Sequence, residues 1–139
     1  NEMREKNTIA KCWETGKYLL ENWNKIADEH KLNAKMTGYP VRMHLECYVD
    51  GSISAELKAL ILQEMVKKGI FMSPSWIALS YSHSKDDVDH TLNMFDLVCQ
   101  DIKKRAPNQD YKDLIEGNMP RTVWTMVMQP TKKPVNKRD

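Results

Sequence analysis

The chain has 139 residues, with 21 lysines and arginines against 19 aspartates and glutamates, and a formal net charge of +2. This length suits one domain with its own core and is too short for two ordinary domains. So balanced a charge does not predict nucleic acid or an anionic membrane surface as a partner, and no apolar run approaches the roughly 20 residues of a membrane span. We therefore expect one compact unit that binds neither nucleic acid nor membrane.

Residues 2–30 are predicted to form a long amphipathic helix. Apolar side chains recur there mostly at three- and four-residue steps: Met3, Ile9, Trp13, Leu20, Trp23 and Ile26. Gly16 and Asn22 weaken the helix locally, because glycine costs roughly 1 kcal/mol relative to alanine in a helix interior. Packing against the rest of the domain must compensate at these positions.

A strand with one buried face is predicted at residues 41–49. Gly38 and Pro40 break the helical pattern before it, within residues 32–40. After this break, apolar and polar side chains alternate: Val41, Met43, Leu45 and Cys47 against Arg42, His44, Glu46 and Tyr48. The period of two directs one of these sets toward a core.

A turn and a second helix follow. The dipeptide Asp50-Gly51 is typical of a turn, and Ser52 or Ser54 is suited to cap the helix after it. The apolar positions of this helix are Leu57, Leu60, Ile61, Met65 and Val66. Gly69 supplies the left-handed conformation that ends a helix.

Two extended pieces are predicted next. Residues 70–72 form a short apolar run in which the chain is expected to switch from helix to strand. Residues 76–81 form the second piece, and Pro74 interrupts the chain before it.

A long helix is predicted between Ser84 and Pro107. Ser84 with Asp87 resembles a capping box in which aspartate replaces the usual glutamate or glutamine. Acids lie in the first turns and bases in the last turn, which complements the helix dipole: Asp86, Asp87, Asp89, then Lys103, Lys104, Arg105. The predicted buried stripe consists of Val88, Leu92, Phe95, Val98, Cys99 and Ile102.

The last part of the chain carries weaker signals. A short helix at residues 111–116 with Gly117 as its stop precedes a β-prone segment at residues 122–128. After Pro130 the residues are basic, include a proline and lack apolar periodicity, so residues 130–139 are predicted to be a disordered tail. Residues 1–129 then form the domain.

The order helix, strand, helix, strands, helix, strand predicts an α+β fold, with a small, mostly antiparallel sheet covered on one face by helices. Such a sheet leaves its other face or an edge open to another domain. Cys12, Cys47 and Cys99 are odd in number and widely spaced among apolar residues, unlike a disulfide framework or a zinc site. With no secretory signal pattern at residues 1–13, we expect a cytoplasmic protein without a metal site.

Three stretches in fixed order carry a resemblance to a known family: GYPVRMHLEC at 38–47, LILQEMVKKGIFMSP at 60–74 and IALSYSHSKDDVDHTLNMFDLV at 77–98. Together they resemble the C-terminal small domain of class III aminotransferases, which use pyridoxal phosphate (PLP), and especially the glutamate-semialdehyde aminomutase branch. The most specific match is SHSKDD at 82–87, because that branch has a serine, a small residue and a histidine, followed by a serine or threonine and an acidic pair that begin its last long helix. The resemblance covers roughly residues 2–127.

The resemblance implies a homodimeric parent enzyme in which a separate large domain binds PLP and holds it through a lysine. The small domain would close the active-site cleft and help to select an amino donor or acceptor. No lysine of this chain lies in a recognisable cofactor motif, so we expect no catalytic residue, no covalently bound cofactor and no activity in this fragment alone. Aminomutases of the branch usually have a longer, acid-containing segment near residues 76–80, and its absence favours amino transfer over aminomutase chemistry.

Five residues are candidates for the rim of that cleft. Ser73, Ser75 and Trp76 lie in the loop between the two extended pieces, which in the resembling family reaches the mouth of the active site. His83 is a candidate because histidine as a residue type is suited to proton transfer, yet a hydrogen-bonded corner between strand and helix is its more typical use. Arg42 is suited to clamp a carboxylate with two hydrogen bonds, although its place in the alternating strand equally suits solvent.

Two further hypotheses stand beside this one. The chain is alternatively a non-catalytic binding or regulatory module that keeps the fold, in which case the complete protein lacks a cofactor lysine. The third hypothesis is an autonomous enzyme that uses Cys47 or His83, and it predicts turnover without added cofactor.

Overall fold

The structure is a computed structural model and describes residues 7–119. Its elements in chain order are α1 (Thr8–Glu29), β1 (Ala34–Tyr39), β2 (Arg42–Val49), β3 (Ser52–Ile53), α2 (Ala55–Lys67), β4 (Ile77–Ala78), α3 (Lys85–Arg105) and a 3-10 turn (Lys112–Leu114). The strand predicted at residues 122–128, the tail predicted at 130–139 and the first residues of the first predicted helix lie outside the described range.

The sheet is antiparallel, with β2 at its centre. β1 pairs along one edge of β2, from Ala34 opposite Cys47 to Tyr39 opposite Arg42. β4 and β3 pair with the two ends of the other edge. Because side chains alternate along β2, Met43, Leu45 and Cys47 are buried against the helices while Arg42, His44 and Glu46 are exposed. The predicted α+β fold is confirmed.

Two predictions around the sheet are wrong. β1 forms within residues 32–40, where Gly38 and Pro40 were expected to prevent regular structure. The strand is possible because these two residues lie at or just after its C-terminal end, where Gly38 has φ of +98°. Residues 70–72 form no strand: the amide of Ile70 donates to Met65 O to close α2, and Phe71 projects into solvent. Only Ile77–Ala78 of the second extended piece joins the sheet.

α2 begins and ends as predicted. The hydroxyl of Ser54 accepts a hydrogen bond from Leu57 N, and Gly69 (φ +82°) follows the last turn. Its amide donates to Val66 O, which satisfies one of the carbonyls that a helix end leaves free. The exception is the Val66 side chain, which was predicted to be buried and is exposed.

Trp23 of α1 is the centre of the core. Its ring stacks on Phe95 of α3, with 3.4 Å between ring centroids and 10° between planes. Its indole Nε1 donates a hydrogen bond of 3.0 Å to Ala34 O at the start of β1. All three residues are fully buried, so one side chain fixes α1, α3 and the sheet relative to each other.

The outer edge of β1 is closed by the neighbouring side chain of α1. Asn24 Nδ2 donates to Met36 O at 2.9 Å, and Asn24 Oδ1 accepts from Met36 N at 2.8 Å. The amide thus pairs with both backbone groups of Met36, as a further strand would. An edge that would otherwise recruit another chain is thereby satisfied.

Gly16 marks the place where the β1–β2 connection touches α1. An added Cβ at Gly16 would lie 1.9 Å from the carbonyl oxygen of Pro40. This backbone contact is the packing interaction that offsets the free-energy cost of a glycine inside the helix.

None of the helices in residues 7–119 is long and apolar enough to cross a membrane.

Gly16→Ala tests the backbone contact at Pro40. Alanine ordinarily stabilises a helix interior by about 1 kcal/mol relative to glycine. Here the clash reverses the sign, and we expect the free energy of unfolding to fall by about 2 kcal/mol, as for overpacked sites. Chemical denaturation measures the change. Glu14→Ala, at an exposed position of the same helix, should have a free energy of unfolding within about 0.5 kcal/mol of the parent. A Gly16→Ala variant whose free energy of unfolding is not lower than that of the parent would contradict the packing.

Asn24→Asp tests the closure of the β1 edge. The carboxylate keeps an acceptor for Met36 N but loses the donor to Met36 O, leaving a buried carbonyl without its partner. We expect a loss of about 1–3 kcal/mol in urea unfolding. Asn22→Ala is the matched control, because the Asn22 amide only donates to the carbonyl of Tyr18 in its own helix. Equal losses in the two variants would show that the edge contact is unimportant.

Candidate functional site

A cleft of about 370 Å³ opens where the start of α3 meets the segment between α2 and β4. Its floor is apolar and comes from three elements: Leu19 of α1, Met36 of β1 and Val88 of α3. Its rim carries the remaining lining residues: Ile70, Phe71, Met72, Ser73, Trp76, Ile77, Ala78, Leu79, His83, Asp87 and Thr91. An apolar floor with a few polar groups at the rim is the usual composition of a small-molecule site.

Trp76 of this rim is paired with Arg42, which lies outside the lining of the cleft. The guanidinium of Arg42 lies 4.4 Å from the centroid of the Trp76 ring, within the range of a cation–π interaction. Both residues are exposed, which leaves the donors of the guanidinium open to a ligand. Arg42 lies on β2, and Trp76 directly precedes β4. The two residues lie together because β4 pairs with β2 at Arg42 and Met43.

The loop that carries Trp76 is held from the sheet. His44 Nδ1 donates to Ser75 O at 3.0 Å, and Ser75 N donates to Ser73 Oγ at 3.2 Å. On the other side of β4, Lys11 Nζ of α1 donates to Tyr81 O at 3.0 Å. These side-chain hydrogen bonds hold the rim in addition to the backbone pairing of β4 with β2.

His83 has the role of a corner residue. Its Nδ1 accepts a hydrogen bond of 3.0 Å from Ser80 N and lies 3.0 Å from Ser80 Oγ. Because a backbone N–H only donates, Nδ1 must be the unprotonated nitrogen and Nε2 carries the proton. The ring both orders the turn into α3 and lines the cleft.

Asp87 was not among the predicted rim residues. The predicted capping box is present: Ser84 N and Ser84 Oγ donate to Asp87 Oδ2 at 2.8 and 2.7 Å, and Asp87 N donates to Ser84 Oγ at 3.1 Å. The bond from the Ser84 hydroxyl, then the bond from its backbone, lower the pKa of the Asp87 carboxyl. The rim therefore carries a carboxylate at neutral pH.

The structure brings the five predicted rim residues to one place. Ser73, Trp76 and His83 line the cleft, while Arg42 stacks on Trp76 and Ser75 bonds to Ser73. The floor residues were missed, since they come from distant elements that only the tertiary fold assembles. Asp87 could have been predicted as a rim residue, because its place in the predicted capping box puts it at the start of the helix, next to the segment that forms the rim.

Cys47 and Cys99 are buried free thiols. Burial raises the pKa of the Cys47 thiol to about 12 and also raises the pKa of Cys99. Such thiols carry almost no thiolate at neutral pH. The hypothesis of an enzyme that uses Cys47 as nucleophile therefore lacks support, and among residues 7–119 no group of three His, Cys, Asp or Glu side chains is arranged for a metal ion.

The described residues do not fit a covalently bound PLP. A cofactor imine needs a desolvated lysine, and the described lining of the cleft contains no lysine. No lysine within residues 7–119 is buried. Lys85, the lysine at the start of α3, instead pairs with Asp89 and lies over the Tyr18 ring.

The fold matches part of two larger proteins of known structure. FumI from Sphingopyxis sp. MTA144, solved in its PLP internal aldimine form, superimposes with a TM-score of 0.69 over 82% of this chain and 27% of its own, at 19% identity. An omega-transaminase from Sphaerobacter thermophilus gives a TM-score of 0.59 over 68% of this chain and 24% of its own, also at 19% identity. No family model and no curated protein matches the sequence.

This chain thus spans about a quarter of the length of those two proteins. At 19% identity the likeness establishes the fold alone, which this chain shares with one part of each of these two proteins. The predicted small-domain architecture is confirmed in this sense.

Asp87→Asn tests the capping box at the cleft. A lowered carboxyl pKa stabilises the fold above the usual value of 3.8, and this contribution disappears as the pH falls through the lower folded value. We expect the variant to melt below the parent at pH 7 and the difference to shrink in acid below the usual pKa. Asp86→Asn, in the same turn, controls for the charge at the helix start. Equal pH dependence in the two variants would contradict the role of the box.

Proposed function

We propose that this chain is the C-terminal small domain of a PLP-dependent class III aminotransferase, where it closes one side of the active-site cleft and helps to select the amino donor or acceptor. The observation that carries the proposal is the superposition on FumI, which covers most of this chain and about a quarter of FumI. In this proposal the cofactor lysine, the phosphate contacts and the acid at the pyridinium nitrogen come from the large domain.

The cleft supports a role in substrate selection. Arg42 presents a planar donor fork beside the ring of Trp76, and this combination suits a small carboxylate with an apolar part. The apolar floor at Leu19 and Met36 suits the remainder of such a molecule. Asp87 on the opposite part of the rim suits an ammonium group.

Amino transfer is preferred to aminomutase chemistry. The segment from Trp76 to Ser80 is short, and within it β4 pairs directly with β2. An acid-containing insertion of the aminomutase kind is missing from this segment. The reaction we propose is a ping-pong exchange between an amine and an oxo acid, carried out by a homodimer.

The complete protein, expressed from its full reading frame and supplied with PLP, tests the proposal directly. We expect transfer of an amino group from an amine donor to an oxo-acid acceptor, measured by chromatography of both products. Bound PLP without transfer across a panel of amines and amino acids would overturn the aminotransferase assignment. Failure to bind PLP would favour the non-catalytic module.

Trp76→Ala in the same protein tests the selection role of this domain. Loss of the ring frees Arg42 and widens the rim, so we expect KM for the acceptor to rise on the order of tenfold with PLP absorbance unchanged. Trp13→Ala is the matched control, because Trp13 is 43% exposed against 47% for Trp76 and packs edge-on to Tyr39. An equal effect of the two variants, or a change in kcat alone, would contradict a role in substrate selection.

A further inference from the structure

Glu64 on α2 is the one charged side chain that is buried in the part of the chain that the structure describes. Its Oε1 accepts hydrogen bonds from two neighbours on the same helix, Gln63 Nε2 at 2.9 Å and Lys67 Nζ at 3.0 Å. Arg105 Nη1, from the last turn of α3, lies 3.3 Å from the same oxygen. Burial raises the pKa of the Glu64 carboxyl, but the hydrogen bonds from these three side chains outweigh burial and lower the pKa below its usual value. Glu64 is therefore an ionised carboxylate at neutral pH, and it lies outside the lining of the cleft.

Residues 112–117, which we call the strap, lie beside α2 after the end of α3. The strap begins directly after Tyr111, which is buried, and ends at Gly117, whose φ is +81°. Its 3-10 turn contains no buried residue, and its backbone hydrogen bonds stay within residues 111–115. A segment with little burial and only local backbone bonds opens at a lower free energy than the core. Side-chain contacts must therefore hold the strap in place.

Two side chains of α2 provide these contacts. Gln63 Nε2 donates to Leu114 O at 3.1 Å, and Gln63 Oε1 accepts from Glu116 N at 2.7 Å. Lys67 Nζ lies 2.6 Å from Glu116 Oε1. Within the described part of the chain, no other element makes a hydrogen bond or an ion pair with the strap. Gln63 and Lys67 are also the two side chains of α2 that bind Glu64.

The Gln63 amide is fixed in one orientation by these bonds. One hydrogen of its Nε2 points to Glu64 Oε1 and the other to Leu114 O, so its Oε1 faces the backbone amide of Glu116. Lys67 likewise lies between two carboxylates, those of Glu64 and Glu116. A neutral group in place of the Glu64 carboxylate would remove the charged acceptor that both side chains share.

We propose that Glu64 is a positioning residue for a detachable strap: its carboxylate holds Gln63 and Lys67 in place, and without it the strap detaches while the helices and the sheet stay folded. Ile115 and Glu116 of the strap form one wall of a depression of about 380 Å³ along α2. Opening of the strap removes this wall and uncovers the apolar side chains of α2 behind it. The device belongs to the domain itself and does not depend on the proposed enzymatic function.

Glu64→Gln in the chain of 139 residues tests the proposal, because it removes the charge with little change in volume. Amide hydrogen exchange, followed residue by residue, measures the opening, and the amide of Glu116 is the most direct probe because it donates to Gln63. We expect the amides of Leu114 and Glu116 to exchange on the order of tenfold faster than in the parent. The Trp23 amide, in the core, should remain protected. Unchanged exchange of the strap in a folded Glu64→Gln variant would overturn the proposal.

Asp101→Asn is the matched control for the loss of charge. Asp101 belongs to the same cluster, because its Oδ2 lies 2.7 Å from Arg105 Nη1, and Arg105 is its one side-chain partner among the described residues. This variant should leave the exchange of the strap unchanged. Equal acceleration by Asp101→Asn and Glu64→Gln would contradict the proposal, since the effect would then follow net charge alone.

Gln63→Leu and Lys67→Met remove the two contacts of the strap and leave Glu64 in place. The Lys67 side chain is 41% exposed, so we expect Lys67→Met to fold even if Glu64→Gln does not. Each variant should accelerate exchange of the strap, and Glu64→Gln should add nothing further when both are present. A full effect of Glu64→Gln in the absence of both side chains, or no acceleration in either single variant, would overturn the proposal.

Discussion

Trp23 makes the one contact on which the rest of the structure depends. Its ring stacks on Phe95 and its indole N–H binds Ala34 O, so α1, α3 and the sheet share one buried point. Asn24, the next residue, closes the edge of the sheet by pairing with Met36. A tryptophan that satisfies its polar atom inside a core combines a large apolar contact with a directional one. The sheet is therefore covered on one side, and Arg42 on β2 faces outward toward the loop that carries Trp76.

Local signals in the sequence predicted much of this fold. The errors concern β1 and residues 70–72, where contacts with distant parts of the chain decide the conformation. The cap at Ser54, the stop at Gly69 and the box of Ser84 with Asp87 were all predicted correctly, because their chemistry lies within a few residues. β1 was missed because its edge is satisfied by side chains of α1, which no local pattern reveals. Residues 70–72 were wrongly assigned to a strand because an apolar run does not show whether it enters a ladder or lines cavities. The role of the five predicted rim residues stays a prediction, and the residues of the cleft floor were not predicted, because they come from distant elements.

Under the proposed function, this chain contacts the substrate and a separate domain holds the cofactor. The lining of the cleft includes an aromatic ring, a fixed histidine, a carboxylate and an apolar floor, and Arg42 stacks on that ring from outside the lining. Groups of these kinds are suited to bind a small molecule. Among the described residues it offers no lysine for the chemistry of PLP, and the two cysteines of the core are held as inert thiols. The narrower resemblance to the glutamate-semialdehyde aminomutase branch stays a prediction, since the two structures that match are FumI and an omega-transaminase.

Borohydride reduction of the complete protein with bound PLP, followed by peptide mapping, tests this division most directly. Reduction fixes the cofactor to the lysine that holds it, and mass spectrometry then locates that lysine. The account predicts a single labelled lysine outside the 139 residues of this chain. Specific labelling of one lysine within them would contradict it, because the domain would then contain the chemistry that we assign to another part of the protein.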